Sequence, residues 1–441
     1  MFRKDLKMKT VVNQTKLNPY SRSVSIIGVG CTPFMNTVDS PETNGLTEGE
    51  LFGYAAMEAM KDAGVTPKDV DYYFHGQANP RGCDYITPNI MAANWVGMKG
   101  KGSIHHSEAC CTGYLALEQA VNAVASGKYN VVLSGCVEFG DAVAIPYKPS
   151  CFREKIPMEE FLKTTRWIYD KAYTLGMMAG PVINFDDSAE YYARTYGLSV
   201  DEMDTVICHM ALNNRYNAVH HPLSISKEDF PEIAKKAGYE NVMDFMKSDK
   251  ENPKMGEFLR VLGTEIKCDG AAAVIVCPTE MASQFTDKKP IEVLGIGSAC
   301  LESSNHNLEI HATREAVRQV YELTGVSPEE IDLMYVNDFM IPSQLVSAEI
   351  AGYLPEGEGW KYICEGRTRF DGDKPLNTNG GRTSFGHAHA ASGLADLYEA
   401  VHQMRGDCGD HQVKKLPKTT MLRGFGGSQN VTAAIIRTKE A

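Results

Sequence analysis

The sequence predicts an α/β fold made of two similar halves with a large insertion between them. Three repeated features carry that prediction. A short apolar run punctuated by glycine occurs twice, as Ser25-Ile-Ile-Gly-Val-Gly30 and as Glu292-Val-Leu-Gly-Ile-Gly297. After a loop and a helical pattern, each run reaches a matching turn, Lys61-Asp-Ala-Gly-Val-Thr-Pro-Lys-Asp-Val-Asp71 in one and Glu322-Leu-Thr-Gly-Val-Ser-Pro-Glu-Glu-Ile-Asp332 in the other. Farther on, Gly113-Tyr-Leu-Ala-Leu-Glu-Gln-Ala-Val121 has a counterpart in Gly393-Leu-Ala-Asp-Leu-Tyr-Glu-Ala-Val401.

Taken in order, the apolar runs read as short buried strands that end in glycine. Gly64 and Gly325 stand where a helix C-cap needs positive φ. Thr66-Pro67 and Ser327-Pro328 offer an N-cap followed by proline at a first helical position. Strands follow at Tyr72-Tyr-Phe and at Leu333-Met-Tyr-Val. The paired segments from Gly113 and Gly393 are amphipathic helices that end near Gly127 and Gly406, and they lead to strands at Asn130–Ser134 and Thr419–Leu422. Alternating strands and helices imply mostly parallel sheets covered by helices. Residues 140–265 break the pattern with aromatics, methionines, charge and helices such as Ser188–Tyr196 and Val200–Asn217. Insertions at the ends of such sheets shape substrate sites. The expected organisation is a tail (1–23), a first half (24–139), the inserted loop domain (140–265), a strand closing the first half (266–288) and a second half (289–441).

Composition narrows the function classes. The 441 residues are 43% hydrophobic and 23% charged, an ordinary globular balance. A net charge of −12 argues against nucleic acid as the main partner. One local basic rim would still admit a polyanionic ligand. No apolar run approaches the ~20 residues that span a bilayer. The first residues lack the apolar core of a secretory signal. Arg3, Lys4, Lys7 and Lys9 faintly suggest a transit peptide, but Asp5 weighs against it. The 12 scattered cysteines read as reduced thiols of a cytoplasmic protein. None shows zinc-ligand spacing, so no metal is expected.

Four motifs carry chemistry. Glu108-Ala-Cys110-Cys111-Thr112-Gly113 puts a cysteine just before a helix, whose dipole and N–H groups are expected to lower the thiol pKa. The same N–H groups suit a developing oxyanion. Asn377-Thr-Asn-Gly-Gly-Arg-Thr-Ser-Phe-Gly-His387-Ala-His389 precedes the helix that mirrors the Cys110 helix. A pseudo-twofold axis would therefore bring Cys110 and His387 together as an activated thiol pair. Val336-Asn337-Asp338-Phe339 ends a strand; Asn337 offers a donor, and Asp338 could be only a helix cap. Arg423-Gly424-Phe-Gly426-Gly427-Ser428 allows close backbone approach, which suits an oxyanion N–H or simply a tight turn.

At these positions the chain resembles the thiolase superfamily, and specifically the sterol-carrier-protein type, from Val24 onward. Cys110-Cys-Thr-Gly113 is similar to the nucleophile motif Cys-x-Ser/Thr-Gly, Gly386-His387 with Ser392-Gly393 to Gly-His-Pro with Ser/Thr-Gly, and Asn337-Asp-Phe to Asn-Glu-Ala-Phe or His-Asp-Cys-Phe. Ala189–Gly197, Asn213–Pro222 and Cys268-Asp-Gly-Ala-Ala-Ala273 add to the resemblance. It implies a five-layer α/β/α/β/α core, a homodimer, and coenzyme A as substrate and product with no permanently bound cofactor. It also implies that Cys110 forms an acyl-enzyme, that His387 activates it, that Asn337 helps the enolate oxygen, and that the N–H groups of Cys110 and Gly426 hold the tetrahedral oxyanion.

Three departures stand out. Gly424 occupies the place of one family catalytic cysteine, Phe339 that of the sterol-carrier-type cysteine, and the proline after the motif histidine is missing. The second acid/base is then unassigned, with His389 its nearest candidate by sequence. Chains with these losses resemble thiolases that work beside a small zinc-ribbon/OB-fold protein. Some condense carbon chains, and others serve anaerobic aromatic breakdown, as benzoylsuccinyl-CoA thiolase does. For a dicarboxylic substrate of that kind, Arg382 is a candidate countercharge; the plainer role is to hold a neighbouring carboxylate. The expected functions are a CoA-dependent thiolase, a condensing or acyl-transferring subunit of a complex, or a non-catalytic acyl-CoA or lipid binder.

Overall fold

The computed structural model describes residues 22–37, 46–78, 87–139, 181–300, 308–426 and 430–439. Most of the expected tail, the first part of the insertion (140–180) and the Gly427-Ser428 pair lie outside these residues. The strands are β1 (Val24–Cys31), β2 (Tyr72–Gly76), β3 (Gly102–His106), β4 (Val132–Glu138), β5 (Gly270–Pro278), β6 (Ile291–Cys300), β7 (Leu333–Val336), β8 (Thr419–Gly426) and β9 (Asn430–Thr438). The helices that matter below are α1 (Glu48–Ala63), α2 (Pro88–Trp95), α3 (Thr112–Ala125), α4 (Pro181–Tyr196), α5 (Val200–His220), α6 (Phe230–Lys236), α7 (Val242–Met246), α8 (Leu308–Thr324), α9 (Pro342–Ile350), α10 (Gly359–Cys364), α11 (Gly381–Ser384) and α12 (His389–Arg405).

The strand order is β3-β2-β4-β5-β1-β6-β9-β8-β7. Matching β6 to β1, β7 to β2, β8 to β4 and β9 to β5 makes the second half a mirror of the first, which is the expected duplication. The halves meet at a narrow seam, Ser25 opposite Glu292 and Ile26 opposite Ile291. Alternation along each strand separates two faces. Ile26, Val132, Leu422 and Ala434 join a central core with α3 and α12. Ile27 and Leu133 face α1 and α2, while Met421, Ala433 and Ile435 face α8 and α9. The layers are therefore helix, half-sheet, the α3/α12 pair, half-sheet and helix.

Glycine explains the strand–helix packing. A bulge follows Ile26 in β1 and Val293 in β6, just before Gly28 and Gly295. A Cβ on Gly28 would collide with the Ala59 carbonyl and Ala63 of α1; one on Gly297 would lie 2.6 Å from the Ala316 carbonyl of α8. The repeated glycines thus let each outer helix lie directly on its strand. Gly64 and Gly325 take φ of 70° and 68°, as expected of helix ends.

Two expectations change. The sheets are mixed rather than mostly parallel: β2–β3, β2–β4 and β7–β8 are parallel, whereas β1–β5, β4–β5, β1–β6, β6–β9 and β8–β9 are antiparallel. β5 arrives from the insertion and β9 by a short connection from β8, so neither follows the crossover helix a parallel strand requires. The Thr66-Pro67 signal yields only a turn closed by Asp69, while Ser327-Pro328 yields a single 3-10 turn.

Candidate active site

The nucleophile turn begins at Ala109, which holds φ at 47°, a strained value for an alanine. Such strain costs about 1–3 kcal/mol and persists only where the surroundings impose it. Here they do: Thr112 Oγ1 donates to the Ala109 carbonyl (2.6 Å) and accepts from the Glu108 N–H (2.8 Å). The turn lifts Cys110 clear of α3, leaving it half-buried, while Cys111 turns inward and donates to the Asn430 carbonyl. A Cβ on Gly426 would lie 2.8 Å from the Glu108 carbonyl, so the end of β8 presses on this turn.

The histidine loop is pinned from several sides. Gly380 and Gly381 have positive φ and run under α5 and against Asp338, where no side chain fits. Asn214 of α5 donates to Asp338 (2.6 Å) and to Thr383 (2.8 Å), and Asn217 donates to the Asn377 carbonyl. The asparagines of the Asn213–Pro222 motif thus fix the loop from the insertion. His387 is fully buried, with Nδ1 3.2 Å from Ser392 Oγ and Nε2 3.0 Å from Cys110 Sγ.

What brings these loops together is a helix crossing that glycine permits. A Cβ on Gly113 of α3 would stand 2.7 Å from the Ala390 carbonyl of α12, and one on Gly393 would stand 3.0 Å from the Tyr114 ring. Gly113 and Gly393 are equivalent positions of the repeat. The two helices therefore touch backbone to ring near their N-termini, and Cys110 and His387 lie just outside those ends.

Burial sets the protonation state. It pushes the Cys110 thiol well above its ordinary range, and the nearby Glu265 carboxylate adds to the rise. Burial, then His389 and the Arg382 charge, push His387 well below its ordinary range. The resting pair is a neutral thiol against a neutral imidazole. This departs from the expectation of a lowered thiol pKa: burial and the Glu265 charge act in the opposite direction.

The remaining site residues divide. His389 is brought in, its ring 4.8 Å from that of His387. Glu265 joins them, with Oε2 3.5 Å from His387 Nε2 and 3.9 Å from His389 Nε2. Sequence reasoning missed it, since no local pattern marks this glutamate. Asn337 is fully buried; it donates to the Phe425 carbonyl (2.9 Å) and accepts the Phe339 N–H, tying β7 to β8. Asp338 acts as a cap from a distance: it accepts the Arg382 N–H in the first turn of α11 (2.7 Å), and burial raises its pKa to about 6. Arg382 is fully buried and bidentate to Asp396 at 2.8 and 2.6 Å. Of its two readings, the neighbouring carboxylate is the observed one, and the substrate countercharge is withdrawn because the guanidinium does not reach solvent. Gly424 leaves no room for a cysteine, since a Cβ there would be 2.5 Å from Tyr114. Phe339 packs with Phe425 and Phe185.

Two clusters have metal-ligand chemistry among the described residues. The ligand atoms of Cys110, His387 and His389 lie within 4.8 Å of one another, but a metal there would occupy the Cys110 thiol. His221, Glu399 and His411 form the other. There His221 Nδ1 accepts the Leu223 N–H (3.1 Å), which leaves its proton on Nε2, facing Glu399. A neutral imidazole in that tautomer has no Nε2 lone pair for a metal. The cluster is a buried carboxylate held by histidines. A surface recess lined by Phe34, Tyr54, Glu58 and Ile225 is bordered by none of Cys110, His387 and Glu265.

A duplicated five-layer α/β fold with a thiol–imidazole contact between two loops at its centre fits the class of acyltransferases. Residues 24–227 match the thiolase N-terminal domain and residues 299–439 the thiolase C-terminal domain-like family. The chain belongs to the thiolase family. It is similar to an acetyl-CoA acetyltransferase of Methanothermobacter thermautotrophicus, with 29% identity over 93% of this chain and 98% of that one. It is 35% identical to the benzoylsuccinyl-CoA thiolase subunit BbsB of Thauera aromatica over 164 residues, 36% of this chain and 42% of that one. Sterol carrier protein 2 of Rattus norvegicus is 25% identical, over 94% of this chain and 72% of that one. A solved structure titled Ltp2-ChsH2(DUF35) aldolase shares the fold, with a TM-score of 0.72, 20% identity, and coverage of 96% of this chain and 99% of that one. The protein is an acyl-CoA acyltransferase, with coenzyme A as substrate and product and no permanent cofactor.

Proposed function

We propose that this enzyme cleaves or forms the carbon–carbon bond of a 3-oxoacyl-CoA in two stages through an acyl group on Cys110. The observation that carries the reading is the 3.0 Å contact between Cys110 Sγ and His387 Nε2 where the two halves meet. As Sγ attacks the carbonyl carbon, its proton passes to His387 Nε2, so charge develops only with the reaction. The end of β8 at Gly426 presses on the turn that carries Cys110, and the backbone N–H groups of these two residues are assigned to the oxyanion. Asn337 holds β7 and β8 in register behind it, and its second Nδ2 hydrogen suits a water-mediated contact to an enolate oxygen. The second acid/base comes from the pair His389 and Glu265 beside His387. Similarity to BbsB favours an aromatic or dicarboxylic 3-oxoacyl group.

A second reading is an acyl-transferring or condensing subunit that needs a small zinc-ribbon/OB-fold partner. It is favoured by the Ltp2-ChsH2(DUF35) likeness over nearly the whole chain. Self-association is favoured by β3, which among the described strands is an edge paired with β2 and carries the exposed Ile104. The ten described cysteines are free thiols, which suits a reducing cytoplasm. No described helix is long and apolar enough to cross a membrane. A merely acyl-CoA-binding or lipid-binding role would not need the strained turn that presents Cys110 to His387.

The test is intact-protein mass after mixing with a panel of acyl-CoAs, with and without a candidate partner. An acyl adduct that Cys110→Ser abolishes supports the proposal and identifies the acyl group. No adduct with any donor would overturn it.

A further inference from the structure

We infer that Glu265 is the second acid/base of this enzyme: its carboxylate removes the α-proton of the nucleophilic thioester in condensation and returns it in cleavage. The inference rests on the acyl-transfer reading above.

Its position is imposed from both sides. The segment around Glu265 is extended and threads between the two catalytic loops. The Glu265 N–H donates to the Phe339 carbonyl (2.8 Å) and the Ile266 N–H to the Arg382 carbonyl (3.0 Å). The His387 N–H donates to the Ile266 carbonyl (2.8 Å), and the Cys268 N–H to the His387 carbonyl (3.2 Å). These four bonds place the Glu265 side chain over His387. Its Oε2 is buried and lies 3.5 Å from His387 Nε2, while the same Nε2 lies 3.0 Å from Cys110 Sγ. One imidazole nitrogen thus stands between thiol and carboxylate. The other oxygen, Oε1, faces Lys267 Nζ at 4.0 Å.

The two places where family cysteines would stand are closed, Gly424 by Tyr114 and Phe339 by its aromatic neighbours. Glu265 is the ionisable group that the Phe339 backbone itself holds in the site. Carboxylates are competent bases next to a carbonyl when an oxyanion site receives the enolate charge.

The proton balance closes. In the first stage Cys110 Sγ bonds to the acyl carbon, the bond to the sulfur of coenzyme A breaks, and the thiol proton travels through His387 to the departing thiolate. In the second stage Glu265 takes a proton from the α-carbon of a second acyl-CoA. The freed electron pair forms the new C–C bond to the acyl carbon, and the C–S bond to Cys110 breaks. The Glu265 proton then passes through His387 Nε2 to the Cys110 thiolate, restoring the starting state. No oxidant, reductant or metal enters. His389, 3.9 Å from the same carboxylate oxygen, is a positioning residue for it.

The two stages separate in one experiment. Wild type, Glu265→Gln, Glu265→Asp and His389→Asn are assayed for acyl-enzyme by intact mass, and for α-proton exchange of the acylating acyl-CoA in D2O, with acetyl-CoA the first probe. Melting temperatures check the fold. We expect Glu265→Gln to acylate, since that stage needs only Cys110 and His387, and to lose exchange by at least ~10²-fold, the usual scale for a lost general base. Glu265→Asp should recover part of the exchange. Exchange at the wild-type rate in Glu265→Gln, or a loss confined to His389→Asn, overturns the assignment. A wild type that acylates but exchanges no donor also overturns it. A wild type that never acylates overturns the acyl-transfer reading, and this assignment with it.

Discussion

The buried ion pair behind the histidine loop offers the sharpest test of how the site is held. Arg382 and Asp396 are each about 1% exposed. Asp396 accepts four hydrogen bonds: from Arg382 Nη1 (2.8 Å) and Nη2 (2.6 Å), from Tyr114 of α3 (2.7 Å) and from Asn379 (3.0 Å). It therefore ties α12, α3 and the loop together. Asp396→Asn keeps the volume but leaves one acceptor oxygen and turns an NH2 group toward donors. Removing one partner of a buried pair costs about 3–5 kcal/mol, because the other charge stays desolvated. Unfolding entropy near 2.1 cal/mol/K per residue, over the 441 residues, comes to about 0.9 kcal/mol/K. A loss of about 4 kcal/mol then lowers the melting temperature by about 4 °C, and by more if the halves unfold separately. Calorimetry measures this directly. The double variant Arg382→Met/Asp396→Asn should recover most of the loss, since the unpaired charge is gone. A melting point within 1 °C of wild type for Asp396→Asn would refute the structural role. So would an Arg382→Met variant of unchanged stability that loses activity only on dicarboxylic substrates, since that is the behaviour of a substrate countercharge.

Other outcomes follow from the same geometry. Cys110 should be alkylated slowly at pH 7, where a thiol above pKa 9 is at most about 1% thiolate, and its rate should still be rising past pH 9; a plateau below pH 8 would contradict the neutral pair. Gly113→Ala places a Cβ 2.7 Å from the Ala390 carbonyl, so it should cost about 1–3 kcal/mol and slow acylation of Cys110 about tenfold or more by parting the two loops; an unchanged acylation burst would show that the crossing does not set the Cys–His distance. Asp338, whose folded pKa is about 6 against 3.8 unfolded, binds its proton more tightly when folded. Its stabilisation is fully present below pH 4 and lost as pH rises through 6, about 3 kcal/mol in all. The stability difference between wild type and Asp338→Asn, from denaturant unfolding, should therefore grow in favour of wild type as pH falls from 7 to 4, and a flat difference would argue against the raised pKa.

Much of this was legible in the sequence because it is written in local rules. Gly64 and Gly325 announce helix ends by the φ they must take, and β7 occupies the predicted Leu333–Val336. The repeat placed Cys110 and His387 at equivalent ends, so their meeting needed only a twofold relation. What escaped depends on contacts between distant segments. Glu265 sits in an unremarkable stretch, and its place beside His387 arises only because segments from other parts of the chain hydrogen-bond to the backbone of Glu265, Ile266 and Cys268. The antiparallel pairings of β5 and β9 depend on how those strands arrive, which periodicity does not record. The fate of Arg382 was decided by Asp396, fourteen residues away on the next helix.

The duplication also explains why a neutral pair suits this chemistry. Each half contributes one central helix, and both helices begin within two residues of a reactive side chain, α3 after Cys110 and α12 after His387. Their N-termini converge, so the field there favours negative charge. In the resting site, burial and the Glu265 charge favour the neutral thiol. In the reaction proposed above, attack by Sγ would move charge onto a carbonyl oxygen, on which a helix end and its N–H groups would act without reorganising. A site that stabilised the thiolate at rest would deepen the ground state as well as the transition state and gain little rate. Burial that keeps thiol and imidazole neutral, with two helix ends nearby, would place the stabilisation on the transition state of the proposed reaction. The repeat supplies both helix ends, and the Gly113–Gly393 crossing brings them close enough to act on one atom.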